Sequence, residues 1–191
     1  MKVRGPAAAL LLAAATAFAD APPWLAEAIR LGSTPTKLEA YAVPGLAVTY
    51  TTPFLRVART ANAAVRAGKT FGVTDVPVNA YAPELRLLIG VRAVTAAGKV
   101  TATASPKSVR LIVGAGEIKA TRMDPGTAKQ TMTVQGGSPV EVTGGILKAV
   151  FEIKGTPPRG AELEIHYESP AGAPKETIVE RVPLDFTKTR W

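Results

Sequence analysis

Apolar residues recur along this chain at two different periods, and the change from one to the other divides it. Pro22 and Pro23 precede Trp24-Leu25-Ala26-Glu27-Ala28-Ile29-Arg30-Leu31, and Gly32 follows. Apolar positions at 24, 25, 28, 29 and 31, with proline at the start and glycine at the stop, predict a short amphipathic helix anchored by Trp24. After Pro35 and Pro44, the run Gly45-Leu46-Ala47-Val48-Thr49-Tyr50 predicts a short strand. Thr52 is a good N-cap, and Pro53 occupies the first helical position, where its missing N–H costs nothing. Phe54, Val57, Ala58, Ala61, Ala64 and Val65 then repeat at helical spacing as far as Gly68. This second helix is expected to place Arg56, Arg59 and Arg66 on its solvent side.

Beyond Pro77 and Pro83 the period falls to two. Leu85, Leu87, Ile89, Val91 and Ala93 alternate with Glu84, Arg86, Gly90 and Arg92, the mark of a half-buried strand. Shorter segments follow at Val100–Ala104, around Val109–Val113, at Glu117–Met123 and at Ala128–Val134. Asp124-Pro125-Gly126 reads as a turn between the last two, and Gln135–Pro139 and Gly144-Gly145 bracket another short strand. Near the end, Leu147, Ala149, Phe151 and Ile153 form one apolar set, and Leu163, Ile165 and Tyr167 another. The two predict a hairpin in which residue numbers sum to 316, with Lys154 opposite Glu162 and Lys148 opposite Glu168. A last strand covers Glu176–Leu184. About eight short strands at regular spacing, with helices gathered in the part from about 22 to 68, predict a mainly β fold. The expected form is an immunoglobulin-like or related antiparallel β-sandwich carrying two short N-terminal helices.

The first 19 residues stand apart from this pattern. Lys2 and Arg4 precede an apolar run from Ala7 to Phe18 that is too short for a stable membrane span. Ala17-Phe18-Ala19 then supplies small residues at a signal-peptidase site. Abundant Ala, Gly, Pro and Arg together with this leader point to a bacterial protein of the periplasm or exterior, and cleavage leaves residues 20–191 as one β-rich domain. No later stretch is apolar for long enough to span a bilayer. The chain has no cysteine, which removes disulfides, thiolate nucleophiles and thiolate metal sites.

Charge adds an asymmetry. The full chain is +8, and without Lys2 and Arg4 it carries 21 basic and 15 acidic side chains, a net +6. Residues 51–130 hold twelve Lys or Arg against four acids, whereas residues 131–191 hold seven against eight. Such a face suits an anionic envelope polymer or lipid, with Arg56, Arg59, Arg66, Arg86 and Arg92 as the candidate contacts. A merely solvated basic face is the simpler alternative. Nucleic acid is disfavoured, because no aromatic-interleaved strand accompanies the cations and the leader sends the chain out of the cytoplasm.

Reactive groups are sparse. His166 is the sole histidine, and on a strand it shares a face with Glu164 and Glu168, a spacing able to chelate zinc or manganese. The alternative is a solvated face whose carboxylates meet Lys148 and Lys154. None of Ser33, Ser105, Ser108, Ser138 and Ser169 lies in a G-x-S-x-G elbow. Gly114-Ala115-Gly116 lacks the rest of a phosphate-binding loop, and no cofactor motif is present. A non-catalytic interaction or accessory module is therefore expected, with a hydrolase of unrecognised type as the remaining alternative.

Thr52-Pro53-Phe54-Leu55-Arg56-Val57-Ala58, followed by Ala82-Pro83-Glu84-Leu85 at the opening of a strand, resembles a pattern in uncharacterised exported bacterial proteins. The resemblance spans residues 50–170 and implies a β-domain behind a T-P-F-x-R-V-A helix, with no activity attached.

Overall fold

A computed structural model describes residues 22–43, 46–96, 99–132, 139–170 and 177–191. The leader assigned to residues 1–19 lies outside the described residues. Among the described residues the chain is mainly β, with two α-helices and two antiparallel sheets. Helix α1 covers Leu25–Gly32 and α2 covers Pro53–Arg66. The strands are β1 (Tyr41–Ala42), β2 (Val48–Thr51), β3 (Glu84–Ile89), β4 (Arg92–Ala96) and β5 (Lys99–Val113). They continue with β6 (Gly116–Ile118), β7 (Arg122–Met132), β8 (Val140–Glu152), β9 (Gly160–Glu168) and β10 (Thr177–Asp185). One sheet runs β1-β2-β3-β8-β7; the other runs β10-β9-β5-β4, with β6 also paired to β5.

Strand alternation builds the main core. Leu85, Leu87, Ile89, Leu147, Ala149 and Phe151 from the first sheet share one buried cluster with Ala104, Val109, Leu111, Leu163, Ile165 and Tyr167 from the second. The two C-terminal apolar sets therefore do meet in the core, but not as a hairpin. β8 pairs with β3 and β7, whereas β9 pairs with β5 and β10. The register summing to 316 does not exist, because the chain crosses from one sheet to the other between these strands. Apolar alternation specifies which face of a strand is buried. It is silent on whether the partner lies beside the strand or across the core.

Two apparent turns prove to be strand interior. β7 passes straight through Asp124-Pro125-Gly126, with Pro125 opposite Leu147. Proline is tolerated there because β7 is an edge strand, whose outer side needs no N–H donor. β8 likewise continues through Gly144-Gly145. These glycines admit a close crossing: a Cβ on Gly145 would stand 2.7 Å from both Cβ and Oγ of Ser105 on β5. β5 is also one strand where two were expected, with a register shift between Pro106 and Ser108.

The helices form a second buried cluster around Leu25, Ala28, Phe54, Val57 and Ala58, with Trp24 packed on it. The Thr52 hydroxyl caps α2 by accepting from the Leu55 N–H at 3.3 Å, and Pro53 follows at the first helical position. Gly32 does more than stop α1, since a Cβ there would lie 2.6 Å from that of Ala61 on α2. Buried Asn62 shares its amide nitrogen among the carbonyls of Gly32, Thr34 and Thr36, at 3.2, 2.8 and 3.0 Å, which fixes the chain leaving α1. The C-terminal residues tie the helices to the sheets. The Arg190 carbonyl accepts from the Thr52 hydroxyl, and its guanidinium pairs with Glu27 and lies 5.4 Å from the Phe54 ring centroid. Among the described residues, no helix is long and apolar enough to cross a membrane.

Candidate functional site

Because β3 and β8 send Leu85, Leu87, Ala149 and Phe151 inward, the residues between them must face outward. Register sets these in two rows on the outer face of the first sheet. Thr51, Arg86, Val150 and Arg122 stand side by side, and next to them lie Thr49, Leu88, Lys148 and Asp124. Neighbouring strands are about 4.8 Å apart, so Arg86 and Arg122 rise from backbones roughly 10 Å apart with Val150 between them. Segment 39–42 and Arg59 of α2 complete a groove of about 620 Å³.

The groove is cationic at its sides and apolar on its floor. Arg59, Arg86, Arg122 and Lys148 line it, against Glu39 alone among the acids. Leu88 is 43 % exposed, while Val150, flanked by the two arginine positions, is 6 % exposed. Arg86 is partly neutralised by Glu84 at 2.8 Å and also donates to the Asn79 carbonyl, and Arg122 pairs with Asp124 at 2.8 Å. Asp124 faces Lys148 in register but gives its carboxylate to Arg122. Among the described residues, neither Lys148 nor Arg59 has an ion-pair partner. Glu39 is taken up at the rim by Lys37 at 2.6 Å. Lys37, and more weakly Arg59 and Arg66, hold its carboxyl below the usual range.

The five arginines singled out from the sequence do not form one patch. Arg59 and Arg86 line the groove, and exposed Arg66 lies further along α2. Arg56 is turned inward: its guanidinium donates to the carbonyls of Ala80 at 3.1 Å, Ala82 at 2.6 Å and Glu84 at 2.6 Å. Burial, then the nearby charge of Arg86, lowers its pKa to about 10. Its task is to hold the chain entering β3, so the expectation of three solvent-facing arginines on α2 fails at this residue. Arg92, on β4 of the second sheet, is bound to Glu180 of β10 and does not line the groove. Sequence spacing does not single out Arg122 and offers Lys148 only as a partner for strand carboxylates, because their place beside Arg86 depends on the pairing of β8 with both β3 and β7.

The candidate metal trio has another employment. Glu164 is 1 % exposed although it points away from the core, because other side chains cover it. Its carboxylate accepts from Arg110 and from Arg181 Nε at 2.9 Å, and His166 Nε2 lies 2.7 Å away. Arg110, then His166 and Arg181, lower its pKa to about 2. Glu168 stays exposed, and no group of three metal-ligating residues exists among the described residues. Among the described residues Glu164 pairs with Arg110, Arg181 and His166 and not with Lys148 or Lys154, and Lys148 lies on the other sheet.

The groove presents cationic and hydroxyl donors above an apolar floor, an arrangement suited to holding an anion. The chain matches no family model, no curated protein and no solved structure.

Proposed function

We propose that this chain is an exported, non-catalytic binding module of the bacterial envelope, periplasmic or secreted, that takes an anionic ligand in the groove between α2 and the first sheet. In this reading residues 20–191 form one immunoglobulin-like or related β-sandwich, and Arg59 of α2 reaches the site from the helical side. The observation that carries the reading is the approach of Arg59 and Lys148 to one groove where, among the described residues, neither forms an ion pair. Cations gathered along a single groove add their fields, so an anion placed among them is attracted more strongly than by either cation alone. The A-x-A leader supports the location.

Amide chemical-shift mapping of residues 20–191 against dextran sulfate and dodecyl phosphate tests this reading. Shifts concentrated at Arg59, Arg86, Leu88, Arg122 and Lys148 for either probe support it. Shifts spread over the surface, or confined to the second sheet, refute it.

A further inference from the structure

We infer that the ligand of this groove is a single amphiphile with one acidic headgroup and an aliphatic body, held as a monomer. This rests on the anion-binding reading above and narrows it. Two features separate an amphiphile from a polymer. The first is the number of cations to spare. Arg86 and Arg122 already have carboxylate partners, so Arg59 and Lys148 are the groove cations without one among the described residues. Two such charges match one phosphate or carboxylate headgroup. A repeating polyanion needs a longer run of uncompensated cations to gain from its multiple charges.

The second feature is the floor. Leu88 and Val150 lie next to Lys148 and Arg86 in the register, with Ala40 and Ala42 at the side. Leu88 remains 43 % exposed on a strand whose outward neighbours are Arg86, Lys148 and threonines. An apolar side chain in the midst of cations gains nothing from a hydrophilic polymer but can bury against an acyl chain. A volume of about 620 Å³ falls within the range of pockets that enclose one small amphiphilic molecule.

The test is calorimetric titration of residues 20–191 with four probes: dodecyl phosphate below its critical micelle concentration, ethyl phosphate, dextran sulfate and phosphatidylglycerol vesicles. Burial of two methylenes multiplies affinity about tenfold. Dodecyl phosphate should therefore bind with one-to-one stoichiometry and at least 100-fold more tightly than ethyl phosphate. Leu88→Asn, an exposed site whose change leaves the fold intact, should narrow that gap at least threefold without affecting ethyl phosphate. Equal affinity for the two phosphates, with dextran sulfate bound at the groove, overturns the amphiphile and leaves the anion site standing. Adsorption to phosphatidylglycerol vesicles without uptake of monomeric dodecyl phosphate likewise overturns the monomeric ligand. No binding of any probe removes both the amphiphile and the anion site.

Discussion

Arg181 stands directly opposite Glu164 across the β9–β10 pair, and its Nε donates to Glu164 Oε2 at 2.9 Å. On the other flank Arg110, opposite Glu164 on β5, closes the same carboxylate from the far side. A carboxylate gripped by two guanidinium groups is stabilised in its charged form, so its pKa in the folded chain, about 2, lies below the unfolded value near 4.5. The sign follows from linkage. The stabilisation is fully present above pH 4.5 and is lost as pH falls from there through about 2. Thermal melts from pH 7 to pH 2 should show Glu164→Gln below the wild type at neutral pH, with the gap closing as pH falls through this window. A gap that is constant with pH contradicts this role for Glu164.

Arg56 gives the second prediction. Its three carbonyl acceptors lie in the short segment that launches β3, so removal of the guanidinium leaves that segment without its clamp. Net of exchange with water, a hydrogen bond to a charged group contributes about 1.5–3 kcal/mol, and three made by one partly exposed guanidinium do not add. Arg56→Ala should cost about 2–3 kcal/mol in denaturant unfolding. Arg66→Ala, at an exposed position, should cost under about 1 kcal/mol. Equal costs for the two would return Arg56 to the solvated face of the helix.

The contrast between Arg56 and Arg59 shows what the sequence could and could not disclose. Periodicity found both helices within two residues of their observed ends, and the cap at Thr52 and Pro53. It also identified the buried faces of β3, β8 and β9, because each of these follows from spacing within one element. Arg56 and Arg59 look alike by the same measure. What distinguishes them is the path of residues 80–84 beneath α2, a long-range fact. The same holds for the missed β8–β9 separation, the strand through Pro125, and the groove itself. Arg122 and Lys148 are 26 residues apart and become neighbours of Arg86 only through two strand pairings.

The interface between the sheets can be probed from both of its extremes. Phe151 is fully buried in the shared core, so Phe151→Ala should cost about 3–5 kcal/mol through lost burial and the cavity that remains. Gly145→Ala pushes a methyl group onto Ser105, and such overpacking costs about 1–3 kcal/mol. If urea titrations find Gly145→Ala neutral, the close crossing of β5 over β8 is wrong.

Export makes a prediction of its own. Intact-mass analysis of the protein recovered from periplasm or medium should place the N-terminus at Asp20, after Ala17-Phe18-Ala19. Recovery of the secreted form with Met1 retained contradicts the leader.

The central claim is that Arg59 and Lys148 together draw an anion into the groove. Its most direct test is the affinity of the Arg59→Glu/Lys148→Glu double variant for dodecyl phosphate and dextran sulfate, measured by calorimetry beside the wild type. Exposed charges contribute about 0–1 kcal/mol each to folding, so the two changes together should move the melting temperature by no more than about 8 °C. The account predicts binding of at least one of the two anions by the wild type, and at least a tenfold loss of that affinity in the folded variant. Unchanged affinity in the variant, or no binding of either anion by the wild type, contradicts it.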